Sequence, residues 1–140
     1  MTTSPSWTID HIGIAVNSLD EAISFYVKKL GAPLCLREKI ESAGVELAFI
    51  NTGDSKVELL APLRDDSVIA RFLATKGPGI HHICYEVQDI RAELTRLQKE
   101  GCTLLDSVPR SGAAHSQIAF ISPSSFMGVL TELVEHPKKS

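Results

Sequence analysis

The chain has 140 residues, 44% of them hydrophobic and 22% charged, with a formal net charge of -3. That is enough apolar chain to bury a core without disulfides or structural metals, and the balance excludes a disordered segment. A mildly acidic chain whose basic residues cluster nowhere beyond Lys138-Lys139 also lacks the electrostatic footprint of a nucleic-acid or anionic-membrane partner.

Taken along the chain, residues 1–7 are polar and show no signal-peptide core, and no later run approaches the roughly 20 apolar residues of a membrane span. The three cysteines, Cys35, Cys84 and Cys102, are odd in number and form no CxxC, so they read as reduced thiols. A cytoplasmic protein is expected. The β-branched run at about 9–16 predicts a first strand. Leu19, Ala22, Ile23, Tyr26, Val27 and Leu30 follow helical spacing, so a helix is expected over about 19–30, with Asn17 or Ser18 as its cap and Gly31 as its stop. Strands are expected at about 33–40, 45–51 and 56–61. Asp66-Ser67 reads as the cap of a short linker helix through Leu73, and Lys76-Gly77-Pro78-Gly79 breaks the chain. A strand at about 80–87, a helix at 89–100 and strands at 102–106, 116–122 and 129–135 complete the pattern.

The second series repeats the first. Ile9-Asp10-His11-Ile12 lies over Ile80-His81-His82-Ile83, and Ala48-Phe49-Ile50 over Ala119-Phe120-Ile121, both at an offset of 71 residues. Val57-Glu58-Leu59-Leu60 lies over Thr131-Glu132-Leu133-Val134 at an offset of 74, and the added length falls in a loop, where it costs little. The expected fold is therefore α+β: one domain over 1–140 built of two tandem βαβββ modules, about 8–62 and 80–136, joined by a linker at 63–79. The modules form a curved mixed sheet.

The repeat also matches His11 with His82 and Glu58 with Glu132. A strand alternates its faces, so these four can share one concave surface while their neighbours pack a core. Burying one unpaired carboxylate is costly, and two recur here in apolar strands beside two histidines. Two imidazoles and two carboxylates suit a single divalent ion such as Co²⁺, Mn²⁺, Ni²⁺ or Zn²⁺. His81, next to His82, faces the other way, and His136 lies in a tail expected to be exposed.

These residues, with Glu58-Leu59-Leu60-Ala61-Pro62-Leu63, Gly79-Ile80-His81-His82 and Gly128-Val129-Leu130-Thr131-Glu132-Leu133, resemble the vicinal oxygen chelate superfamily and, within it, the methylmalonyl-CoA epimerase family. The resemblance runs from about residue 8 to 136. It implies that His11, Glu58, His82 and Glu132 are metal ligands, a position at which some members carry glutamine for Glu58, and that Co²⁺ is the leading candidate ion. It implies inversion at C2 of methylmalonyl-CoA by metal-assisted enolisation and proton transfer between two bases, in a homodimer. Glu132 is then one base. Glu46, in a strand where the family can place a catalytic glutamate, is the second, although an alternative alignment puts that position on Leu47. Gln117, the counterpart of Glu46, and His115 are candidate substrate contacts. Arg110 and Lys76 are basic groups of the kind a CoA phosphate meets. Two alternatives share the fold: a glyoxalase-type lyase acting on a glutathione thiohemiacetal, and a ligand-binding module without catalysis.

Overall fold

The computed structural model describes residues 7–138. By its contacts the chain divides into two compact units: His11–His81, and a second composed of the chain up to Asp10 with His82 onward. The strands and helices run β1 (Thr8–Ala15), α1 (Leu19–Leu30), β2 (Leu34–Ile40), β3 (Val45–Asn51), β4 (Lys56–Pro62), α2 (Val68–Lys76), β5 (Gly79–Glu86), α3 (Ile90–Lys99), β6 (Arg110–Ser111), β7 (Gln117–Ile121) and β8 (Thr131–Glu135). The βαβββ series therefore occurs twice, as the repeat requires.

In the first unit the strand order is β2-β3-β4-β1. β1 and β4 run parallel with Gly13 opposite Glu58, while β3 is antiparallel to both its neighbours. Helix α1 starts where Ser18 accepts a hydrogen bond from the Glu21 amide, and it ends at Gly31 with φ 64°, a conformation natural to glycine. Its apolar side packs on Ala48, Ile50, Leu59 and Ala61. One face of this half-sheet is thus spent on the helix, and the residues between those positions line the other. Helix α2, capped by Ser67 accepting from the Ala70 amide, runs to Lys76, a turn beyond expectation. By its contacts it falls within this unit.

In the second unit the order is β5-β8-β7-β6. β5 and β8 are parallel with Cys84 opposite Glu132, the same relation as Gly13 to Glu58. Helix α3 buries Ile90, Leu94 and Leu97 on Ala119, Ile121 and Leu133, the counterparts of Ala48, Ile50 and Leu59. The strand expected at 102–106 does not form. Leu104 makes one bridge to Ile121, and the Leu105 and Asp106 amides both donate to the Phe120 carbonyl. The Asp106 carboxylate takes up the Phe120 amide at 2.9 Å, so a side chain replaces the ladder there. Pro109 offers no amide, and pairing resumes only at Arg110–Ser111. Among the described residues no helix is long and apolar enough to cross a membrane.

Candidate metal centre

Strand register decides which side chains can meet. In the first unit His11, Gly13, Glu58, Leu60, Leu47 and Phe49 share the face turned away from α1. On it His11 Nε2 lies 3.2 Å from Glu58 Oε1. The Phe49 ring stands edge-on to the imidazole with centroids 5.2 Å apart. In the second unit His82, Cys84, Glu132, Ile118 and Phe120 share the face turned away from α3. There His82 Nε2 lies 2.9 Å from Glu132 Oε1, and Phe120 stands edge-on to His82 at 5.5 Å. All four ligand-type residues are buried, at 3–6% exposure. Each unit therefore builds the same half-site: one imidazole nitrogen facing one carboxylate oxygen, walled by a phenyl ring.

The phenyl walls had a signal in the sequence, since Phe49 and Phe120 stand at matched positions of the repeat. A basic group completes each half-site. Lys56 Nζ lies over the Phe49 ring at 5.9 Å, and the Arg110 guanidinium lies over Phe120 at 5.5 Å.

Three other expectations come out differently. Glu46 sits opposite Ala61 and alternates with Leu47, which places it on the helix face with Ala48 and Ile50. There it accepts from Arg37 Nε at 3.0 Å, while Arg37 Nη1 donates to Asp20 on α1 at 2.7 Å. Hydrogen bonds to Glu46 and then Asp20 raise the basicity of Arg37. Glu46 is thus a strand-to-helix clamp, and the residue of β3 on the ligand face is Leu47. Gln117, one position off the ligand face in the same sense, pairs with Glu135 on the α3 side and is exposed. A one-residue shift reverses the face of a strand, and this accounts for both. The third is His136: it is not a free tail residue, because its Nε2 lies 2.7 Å from the buried carboxylate of Asp10. His81 packs edge-on against Phe72, 5.1 Å between centroids, and Lys76 lies over the same ring. His115 is exposed in a 3-10 turn over Ala113–His115, where it and Ala114 have φ of 61° and 54°.

The model of the glyoxalase/bleomycin resistance protein/dioxygenase superfamily matches residues 10–120. The chain belongs to this superfamily. Among its relatives is the ethylmalonyl-CoA/methylmalonyl-CoA epimerase of Cereibacter sphaeroides, 42% identical over 128 residues, which covers 89% of this chain and 95% of that one. The crystal structure of methylmalonyl-CoA epimerase from Mycobacterium tuberculosis is similar with a TM-score of 0.92 at 39% identity, over 99% of this chain and 94% of that one. A Streptomyces coelicolor methylmalonyl-CoA epimerase variant in complex with 2-nitronate-propionyl-CoA is similar with a TM-score of 0.87 at 38% identity, over 92% and 94% of the two chains. Within this superfamily member the donor chemistry fits a metal. Each half-site offers a borderline imidazole nitrogen and a hard carboxylate oxygen, and a buried carboxylate needs a cation or hydrogen-bond donors to offset its desolvation.

Proposed function

We propose that the protein is an epimerase that inverts C2 of methylmalonyl-CoA, using one divalent ion held jointly by His11, Glu58, His82 and Glu132. Co²⁺ is the favoured ion, with Mn²⁺, Ni²⁺ and Zn²⁺ chemically admissible. The observation that carries this reading is the duplicated buried His–Glu pair, at the same register in both units, in a chain about 40% identical to epimerases of this substrate. When bound, the ion supplies Lewis-acid stabilisation of the negative charge that develops as the C2 proton leaves.

The rest is work for the chain's own side chains. Inversion needs a proton taken from one face of C2 and returned to the other, so two proton carriers must flank the carbon. Glu132 is one. For the second, β3 offers only Val45, Leu47, Phe49 and Asn51 on its ligand face, none of which serves as a proton carrier. Glu86 shares the ligand face of β5 but lies four residues beyond His82, about 13 Å along a strand. Glu58 remains. The repeat makes it the counterpart of Glu132, so the two carboxylates alternate as acid and base. His115 contacts the substrate from its turn, and a homodimer is the expected assembly.

The test is proton exchange and inversion at C2 of methylmalonyl-CoA in D2O, followed by NMR, with metal-stripped and metal-restored protein. Metal-dependent exchange with inversion is expected. Absence of both in the metal-loaded protein overturns the epimerase reading.

A further inference from the structure

We infer that Arg110 recognises an anionic group of the substrate, through a guanidinium fork held on the ligand face of the second unit. This rests on the CoA-thioester reading above. Arg110 lies opposite Ile118 in the β6–β7 ladder, and so on the same face as Phe120, Glu132 and His82. Its Cζ lies 5.5 Å from the centroid of the Phe120 ring, whose edge meets the His82 imidazole. The cation is therefore two ring contacts from a metal-ligand histidine.

Its orientation is fixed by one carboxylate. Asp106 Oδ2 accepts from Arg110 Nε at 3.4 Å and from the Phe120 amide at 2.9 Å. Ring and guanidinium are thereby set relative to each other by a single side chain. Because the contact uses Nε, the two terminal amino groups are left over, and they make no hydrogen bond among the described residues. The Arg110 side chain is 50% exposed, so those groups face a ligand that arrives from solvent. Arg37 and Arg64 differ. Arg37 is on a helix face and spans two acids, and Arg64 is divided between Asp66 and the Glu41 carbonyl. A planar fork with two free parallel donors matches the two oxygens of a carboxylate or a phosphate. The substrate carries both: the free carboxylate on C2 and the phosphates of CoA.

The experiment compares wild type, Arg110→Ala and Arg110→Lys. It measures kcat and KM with methylmalonyl-CoA and with methylmalonyl-pantetheine, which keeps the carboxylate and drops the phosphates. Competition by propionyl-CoA, which does the reverse, is measured alongside. Arg110→Ala is expected to raise KM for methylmalonyl-CoA by about tenfold to a hundredfold, the range of a lost hydrogen bond to a charged group. kcat should stay within about threefold, as for an interaction equal in ground and transition states. Lysine should recover only part of the loss. A penalty that disappears with the pantetheine substrate assigns the fork to phosphate. One that persists there, and is absent with propionyl-CoA, assigns it to the carboxylate. Unchanged KM for every ligand, or a fall in kcat alone, overturns the inference while leaving the epimerase reading intact. If wild type turns over neither substrate, the epimerase reading fails. Calorimetric titration with methylmalonyl-CoA then decides the inference, and equal or absent binding in wild type and Arg110→Ala overturns it.

Discussion

Glu58→Gln separates metal binding from proton transfer. Glutamine has nearly the same volume and keeps an oxygen toward His11, so a site that is 6% exposed stays packed and keeps an oxygen donor. What it loses is a negative charge and the capacity to accept and return a proton. If Glu58 is the second proton carrier, inversion slows by about 10²- to 10⁴-fold, the usual contribution of a positioned acid–base group. That corresponds to about 3–5 kcal/mol of barrier. Glu132 is untouched, so the epimer whose C2 proton faces it should still exchange in D2O, with retention. The assay follows each epimer separately by NMR, with metal content measured on the same samples. Glu132→Gln should give the mirror result, exchange from the other epimer alone. A Glu58→Gln protein that keeps its metal and inverts at the wild-type rate removes Glu58 from the proton relay and leaves it a ligand only.

Leu47 stands on the ligand face of β3 at 4% exposure, so Leu47→Glu in the Glu58→Gln background should return part of the lost inversion, at a cost in melting temperature; no gain in inversion refutes the face assignment. Glu46→Ala should leave kcat and KM unchanged and lower stability by no more than about 1 kcal/mol in denaturant titration, because it breaks only an exposed clamp; a collapse in kcat contradicts its placement. A metal at a thousandfold excess over its Kd stabilises the native chain by about 4 kcal/mol. Adding Co²⁺ or Zn²⁺ to stripped protein should therefore raise Tm by on the order of 10 °C, and the rise should vanish in His82→Ala. Glycine occupies the left-handed position at residue 44, and His115 takes it 71 residues later, with φ of 66° and 61°. His115→Gly should thus match or exceed wild-type stability by up to about 1 kcal/mol in the same titration and still raise KM, if the imidazole contacts substrate.

The repeat made most of this structure legible. Helix α1 falls on Leu19–Leu30 because its apolar spacing, Ser18 cap and Gly31 stop all agree. Burial of His11, Glu58, His82 and Glu132 on the faces opposite the helices follows from the same period-two logic that buries Leu59 and Leu133 on the faces against them. The faces of Glu46 and Gln117 are not legible in the sequence, for a physical reason. A polar residue in an apolar strand marks a face only when the register is known, and register is a property of the partner strand. The missing strand at 102–106 has another cause: Leu104-Leu105 reads as strand, but the Asp106 carboxylate outcompetes the backbone for the Phe120 amide. Long-range pairs such as His136 with Asp10 lie beyond any local pattern.

A duplicated half-site has equal arms, but a substrate with a thioester on one side of C2 and a carboxylate on the other does not. Discrimination must therefore come from residues where the repeat is broken. The ligands and phenyl walls are matched, and so are the apolar Leu47 and Ile118 behind them. The cations are not: Lys56 is a compact charge two residues before Glu58 in its own strand, whereas Arg110 is a planar fork fixed by Asp106. Cys84 stands where Gly13 leaves the ligand face bare, and His115 takes the left-handed turn position that Gly44 holds in the first unit. The side chains added in the second unit, Cys84, Arg110 and His115, supply the asymmetry that the chemistry requires. If the proposed substrate binds there, the second unit orients it, and substitutions of Cys84, Arg110 or His115 should change which epimer is processed faster, whereas His11→Ala and His82→Ala, which remove no proposed proton carrier, should slow the two epimers alike through the metal.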